Sequence, residues 1–256
     1  MRTFFSSRDI QSSISEADYE ILHRIIMFFR KHVHVEPIGR YRKMTPEEVW
    51  LQLVGQVCVM GSARHWERLH SDHTIIAKFK SAISLPLLYR KRNLVSYLAG
   101  TLTSFSATRF PNRSAKRLVS VLHSGSIFRH GNLILFEGLS HKMDTIKTRD
   151  QLMSRCPIFR LKSASDFMIT VGLSHDVIAL DTRIIGVFQK WFGYNLSSTR
   201  IQSHQGLYLS LESALRDFCQ GQNISLALLD RLLFRFSSLG AIELVVKYPE
   251  LADRPK

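Results

Sequence analysis

The stretch from Thr148 to Trp191, TRDQLMSRCPIFRLKSASDFMITVGLSHDVIALDTRIIGVFQKW, constrains the fold more than any other part of the chain. It reads as helix, tight turn, helix, short connector, then an aspartate opening a third helix. Thr148 is a candidate N-cap, with Gln151 three residues on completing a capping-box pattern. Pro157 stops this first helix after Cys156. A second helix begins near Leu161, and its Ala164, Phe167, Met168 and Val171 recur at i, i+3, i+4 and i+7, the spacing of a buried face. Gly172 stands where a left-handed C-terminal cap is expected. An apolar run, Val177 to Leu180, then leads into Asp181, and the next helix starts with Thr182 and Arg183.

The pattern puts Lys162 and Asp181 at two helix starts nineteen residues apart. Singly, each has an ordinary reading: a lysine in a first helical turn is usually solvated, and an aspartate before a helix is usually an N-cap worth about 1 kcal/mol. As a pair they carry chemistry. The positive end of a helix disfavours an ammonium and so favours the nucleophilic free amine. A carboxylate can assist breakage of a glycosidic bond by stabilising oxocarbenium-like charge or by activating water.

Composition narrows the partner. A chain of 256 residues with an apolar fraction of 45% buries a substantial core and is not expected to be disordered. Its formal net charge of +14 calls for an anionic partner, with nucleic acid leading over a merely basic protein. Cys58, Cys156 and Cys219 lie far apart without a CxxC pair, so neither a disulfide framework nor a zinc site is expected, and a reducing cytoplasm fits. No segment reads as a signal peptide or a membrane span.

The remaining elements are helical. A helix is expected from about Glu16 to Lys31, with Ser15 and Asp18 in a cap-like arrangement and Ile21, Ile25, Phe28 and Phe29 as its stripe. His32 and His34 read as a basic turn rather than a metal site. Thr45-Pro46-Glu47-Glu48 is a strong helix start, a cap followed by proline and acid. That helix carries Val49, Leu51, Leu53, Val54, Val57 and Met60 inward and breaks near Gly61-Ser62. Arg109-Phe110-Pro111-Asn112 turns into an amphipathic helix, with Ala115, Leu118 and Val119 inside and Arg113, Lys116 and Arg117 on a wet face suited to phosphate. Residues 124–147 are irregular. Further on, one helix runs to Gly193, and two more are separated by Gly221-Gln222-Asn223.

The string K-S-A-S-D-F-M-I-T-V-G followed by A-L-D resembles the second hairpin helix and catalytic aspartate of the helix-hairpin-helix DNA glycosylases, in particular the type 2 branch of 8-oxoguanine glycosylase/lyases. In that family the matching lysine attacks the sugar C1′ and the matching aspartate is the catalytic carboxylate, which implies these roles for Lys162 and Asp181. LVGQVCVMGSARHWERL is similar to the family's first barrel helix and the loop that fills the gap left by an extruded base. That implies Met60, Ser62 and Arg64 as DNA contacts, with an ordinary Gly-Ser helix break equally open. The Arg109-Phe110-Pro111-Asn112 segment, followed by Ala115, Leu118 and Val119, resembles the motif before a central helix, and Arg109 and Arg113 join the candidate DNA contacts. Tyr208, Glu212 and Asp230 match a tyrosine, a glutamate and an aspartate of the last helices, so the resemblance spans about residues 46–238.

Two departures stand out. Family members place glycines four and two residues before the lysine, where backbone N–H groups approach a phosphate, often through a cation. Here Ile158 and Arg160 occupy those places and obstruct that approach. A hairpin-bound cation is therefore not expected, and Arg160, with Ser163, becomes the candidate phosphate contact. The four-cysteine iron–sulfur cluster of some superfamily members is not expected either, because this chain has only three scattered cysteines. The chain also continues through GAIELVVKYPELADRPK beyond the last matched helix, where type 2 enzymes stop and use a terminal carboxylate on the oxidised purine.

The resemblance thus implies an all-α, two-lobed helix-hairpin-helix fold in one domain. One lobe is expected at about 45–172, the other at about 1–44 with 173–256, with the active site between them. It implies a cytoplasmic, monomeric enzyme that needs no cofactor and acts on double-stranded DNA, with no membrane partner. The base would be either an oxidised purine in repair or a hypermodified base in foreign or phage DNA. A non-catalytic DNA-binding protein on the same scaffold is the alternative, and an RNA-binding helical protein ranks last.

Overall fold

The computed structural model describes residues 15–192, 197–237 and 240–247. The polar start before Ser15, the helix end at Gly193 and the segment after Lys247 lie outside the described residues. Among the described residues the fold is all-α apart from one two-stranded hairpin, and no described helix is long and apolar enough to cross a membrane. The chain divides into two compact units, Gly39–Ser163 and residues 1–38 with 164–256.

The first helix, α1 (Glu16–Phe29), belongs to the second of these units. Ser15 and Asp18 form a full capping box at its start, each side chain satisfying the other's backbone N–H.

In the Gly39–Ser163 unit a short 3-10 turn, Arg40–Lys43, precedes α2 (Pro46–Cys58), where Thr45 and Glu48 make a second capping box around the proline. α3 (Arg64–Ser71), α4 (His73–Ala82), α5 (Leu85–Leu88), α6 (Leu94–Ser104) and α7 (Pro111–Leu122) follow. α6 packs along α7, and α7 against α2. Trp50 is the anchor of this core: its ring is buried and its indole N–H donates to the carbonyl of Ile83 at 2.7 Å, closing α2 onto the end of α4. Gly55 lets α3 approach α2 closely, since a Cβ there would lie 3.0 Å from the Trp66 ring. Two short strands, β1 (Phe128–Arg129) and β2 (Asn132–Leu133), pair antiparallel in the irregular region. Arg155 pins the segment after them by donating to the carbonyls of Leu135 and Glu137.

α8 (Thr145–Arg155) is the first hairpin helix, and it begins earlier than its sequence predicts. Asp144, not Thr148, is the N-cap: its carboxylate accepts from the N–H of Lys147 at 2.8 Å. Thr148 is buried inside the first turn and its hydroxyl donates to the Asp144 carbonyl. Both residues satisfy local cap rules; burial of Thr148 decides between them. α8 ends before Pro157, as the missing proline N–H requires.

α9 (Leu161–Thr170) is the second hairpin helix, and the division between the units falls within it, after Ser163. Ala164, Phe167, Met168 and Val171 are all buried. Gly172 has φ +66° and ends the helix, with the N–H of Leu173 donating to the Met168 carbonyl at 2.8 Å. α10 (Thr182–Phe192), α11 (Ser198–Ser203), α12 (Gln205–Gly221), α13 (Leu226–Phe236) and α14 (Ala241–Lys247) follow in this unit. α1 packs on α13 and α14, with Phe29 stacked on Phe236 at 4.1 Å and the Tyr19 ring edge-on to Phe218. α10 packs on α13, and α13 on α12.

Candidate active site

Asp181 stands at the end of a buried connector that has no regular secondary structure. Ile178 and Leu180 are fully buried and Ala179 nearly so. Backbone groups in such a place must find partners, because an unpaired buried N–H or C=O costs about 1–3 kcal/mol. Side chains from three helices supply them. The Tyr208 hydroxyl donates to the carbonyl of Ile178 at 2.6 Å and accepts from the N–H of Leu180 at 3.2 Å. Asp230 accepts from the N–H of Ala179 at 2.7 Å, and Glu212 from that of Ile178 at 3.4 Å. Gln202 donates to the Leu180 carbonyl at 3.0 Å. Asp181 then caps α10, its Oδ1 accepting from the N–H groups of Arg183 and Ile184, each at 2.9 Å. The aspartate side chain is half-buried.

The acids of this clamp are themselves held. Arg231 donates to Asp230 at 3.1 Å and to Asp166 of α9 at 2.7 Å, and also reaches the hydroxyl of Thr170. Arg216 joins Glu212 to Asp176 at the start of the connector. Even so, burial outweighs the pull of Arg231 and pushes the Asp230 carboxyl up to about 7 from 3.8. The folded protein therefore keeps a proton on Asp230 that the unfolded chain gives up near 3.8, and stability falls as the pH rises through that window. Asp230→Asn is expected to remove this slope, so the stability gap between variant and parent should change by a few kcal/mol from pH 4 to pH 7. Parallel curves from urea melts across that range would refute it.

Lys162 is the second residue of α9 and is half-buried. The turn before it is built from side chains rather than glycines. The Ser163 hydroxyl accepts from the backbone N–H of Arg160 at 2.9 Å and returns a bond to the Arg160 carbonyl, so both its functions serve the turn. The Arg160 guanidinium donates to the Phe159 carbonyl at 2.8 Å.

The other nucleic-acid candidates of the Gly39–Ser163 unit, Arg64 apart, come together around α7. Gly61 has φ +86°, and a Cβ there would lie 3.0 Å from the ring of Phe110, so the loop of Met60 and Ser62 sits on that ring. Arg109 also lies against this ring, 5.2 Å from its centroid. Arg64 opens α3 and is exposed. Arg117, which the resemblance does not single out, is the link: its guanidinium reaches the sulfur of Met60. Burial and the charges of Arg113 and Arg160 push Arg117 below the usual guanidinium range. No acidic side chain pairs with Arg113, Arg117 or Arg160 among the described residues.

Charge follows the same division. The unit of residues 39–163 holds 21 Lys and Arg against 7 Asp and Glu, a net +14, while the rest of the chain holds 14 against 14. The whole surplus for gripping an anion therefore belongs to one unit. Exchanging Arg117 or Arg160 for Ala is expected to reduce the slope of log K against log salt by about 0.9 for each phosphate left without its cation. Titration of a plain duplex at several salt concentrations measures it, and two unchanged slopes would remove the cluster from the DNA-binding surface.

The three cysteines are buried and unbridged, and burial pushes each thiol up to about 12, which keeps them protonated and inert.

Two solved structures are similar to this chain over most of its length. One is a Methanocaldococcus jannaschii 8-oxoguanine glycosylase/lyase in complex with 15mer DNA containing 8-oxoguanine, 18% identical, with 92% of this chain and 98% of that chain covered and a TM-score of 0.58. The other is the Methanocaldococcus jannaschii 8-oxoguanine DNA glycosylase, 19% identical, with 91% and 94% covered and a TM-score of 0.52. The chain has the helix-hairpin-helix DNA glycosylase fold. No protein-family model matches the sequence, and no curated protein does either. In the helix-hairpin-helix frame, α8 and α9 are the hairpin, Lys162 lies in the first turn of its second helix, and Asp181 opens the helix after it.

Proposed function

We propose that the protein is a DNA glycosylase that flips a modified base out of duplex DNA and cleaves its N-glycosidic bond. The observation that carries this reading is Asp181. A carboxylate capping a helix is ordinary, but one whose preceding backbone is held by a tyrosine and two buried acids is a group kept in place for chemistry. The helix-hairpin-helix fold supports the substrate class, and the +14 of residues 39–163 supports a grip on phosphates.

In this reading the target nucleotide leaves the stack and enters the site. The bond between C1′ and the base breaks with its electron pair going to the base, and the Asp181 carboxylate stabilises the positive charge that develops on the sugar. The Lys162 Nζ bonds to C1′ and gives up a proton, the C1′–O4′ bond breaks with its electron pair and a proton going to O4′, and the resulting Schiff base loses a C2′ proton as the 3′ phosphate is eliminated. The first substrate class is an oxidised purine, the base carried by the DNA of the Methanocaldococcus jannaschii complex. A hypermodified base of foreign DNA is the second, with a role in defence rather than repair.

Incubating the protein with a duplex carrying 8-oxoguanine and, separately, with hypermodified phage genomes, then counting abasic sites, tests both. Release of 8-oxoguanine supports the repair reading and release from phage DNA alone the defence reading. Salt-sensitive binding without release from either leaves a DNA-binding protein on an enzyme's scaffold.

A further inference from the structure

The side chains of the Val177–Leu180 connector are all apolar and buried, so the partners that its backbone needs must come from other segments. The core supplies Glu212 and Asp230, each 1% exposed, together with the buried hydroxyl of Tyr208. Placing two acids inside a core is costly unless each is hydrogen-bonded. Here their bonds converge on three consecutive residues, Ile178, Ala179 and Leu180. The next residue is Asp181, whose own Oδ1 is fixed by the first N–H groups of α10. A shift at Leu180 therefore passes to the carboxylate through a single peptide unit.

We propose that Tyr208, Glu212 and Asp230 are positioning residues of the reaction, holding the Val177–Leu180 backbone so that Asp181 presents its carboxylate to the sugar in one orientation. This rests on the glycosylase reading for its chemistry, but the clamp itself is a property of the protein without DNA. Tyr208 carries most of the load, because one hydroxyl serves both a carbonyl and an N–H on either side of Ala179. Its hydroxyl also lies 3.3 Å from that of Ser165 on α9, and Arg231 ties Asp230 to Asp166 on the same helix. The connector is thus keyed to α9, α12 and α13 together. A misplacement of about 1 Å at a reacting group can cost on the order of 100-fold in rate.

The test uses full-length Tyr208→Phe and Asp230→Asn, with Ile25→Val, a conservative core change in α1, as the control for general loosening. In the protein without DNA, amide exchange at Ile178, Ala179 and Leu180 and the carboxyl ¹³C signal of Asp181 are followed by NMR. On a duplex carrying 8-oxoguanine, the single-turnover rate of base release and the DNA dissociation constant are measured. Tyr208→Phe is expected to speed exchange at Leu180 by at least about tenfold over Ile25→Val and to move the Asp181 signal. It should slow base release by about tenfold or more while the dissociation constant stays within about twofold. Glu212→Gln, which keeps an acceptor oxygen for Ile178, should retain more activity than Glu212→Leu. Exchange and Asp181 signals no different from those of Ile25→Val would overturn the proposal, as would altered exchange with an unaltered release rate. If the parent protein releases no base from this duplex, the glycosylase reading for that substrate fails, and the exchange and ¹³C measurements alone still decide the clamp.

Discussion

Asp181→Asn is expected to slow base release by at least about a thousandfold, roughly 4 kcal/mol of transition-state stabilisation, while the protein stays folded. The substitution separates the helix cap from the proposed catalytic role. As a helix cap, Asn is about as good as Asp, and its amide oxygen can accept the same two N–H bonds from Arg183 and Ile184. The clamp on Val177–Leu180 acts through the backbone and is untouched. What disappears is the negative charge, in a half-buried position where its field is less screened than in bulk water. Single-turnover release on an 8-oxoguanine duplex, read beside the dissociation constant and the thermal midpoint, measures this. A rate within tenfold of the parent would show that Asp181 is only a cap.

The second large effect falls on the proposed covalent step. Treating the protein with borohydride during turnover should trap it on DNA, and Lys162→Ala should lose that adduct and the accompanying strand break entirely. Stability is not expected to suffer. Alanine is the best helix former, and removing a cation from the first turn of α9 relieves an unfavourable interaction with the helix dipole, worth about 0.3–1 kcal/mol. Gel shifts of the trapped complex and of nicked strands give the answer. Base release by the parent with no trapped species would make the enzyme hydrolytic, driven by Asp181, and would strip Lys162 of its role.

Much of the hairpin was legible because its signals are local. Leu161 as a helix start, Gly172 as a left-handed end and Asp181 as a cap each follow from one residue type and its neighbours within four positions. The start of α8 was not legible in the same way. Asp144 and Thr148 are both good caps one turn apart, and only the burial of Thr148 makes it an interior residue. The clamp was half legible. Glu212 lies on the face of α12 that carries Tyr208, Leu211, Leu215 and Phe218, and Asp230 lies between Leu229 and Leu233 on the buried face of α13. A charge on an apolar face announces a buried polar network, but nothing in periodicity says which backbone it satisfies. Arg117 shows the same limit, since helical spacing alone reads it as a solvated charge, and its meeting with Met60 across 57 positions is a tertiary event.

By itself, then, the sequence determined the existence of the hairpin helices, the caps at Ser15, Thr45 and Asp181, and the placement of Lys162 and Asp181 at helix starts, because these depend on dihedral preferences and hydrogen bonds within one turn. The tertiary structure alone decided that three buried side chains grip the backbone before Asp181, that Arg113, Arg117 and Arg160 share one region, and that a total of +14 belongs to a single unit. Those outcomes depend on which distant segments share a core. Local pattern cannot report that, because burial energy depends on the area removed from water and not on the order of the residues that remove it.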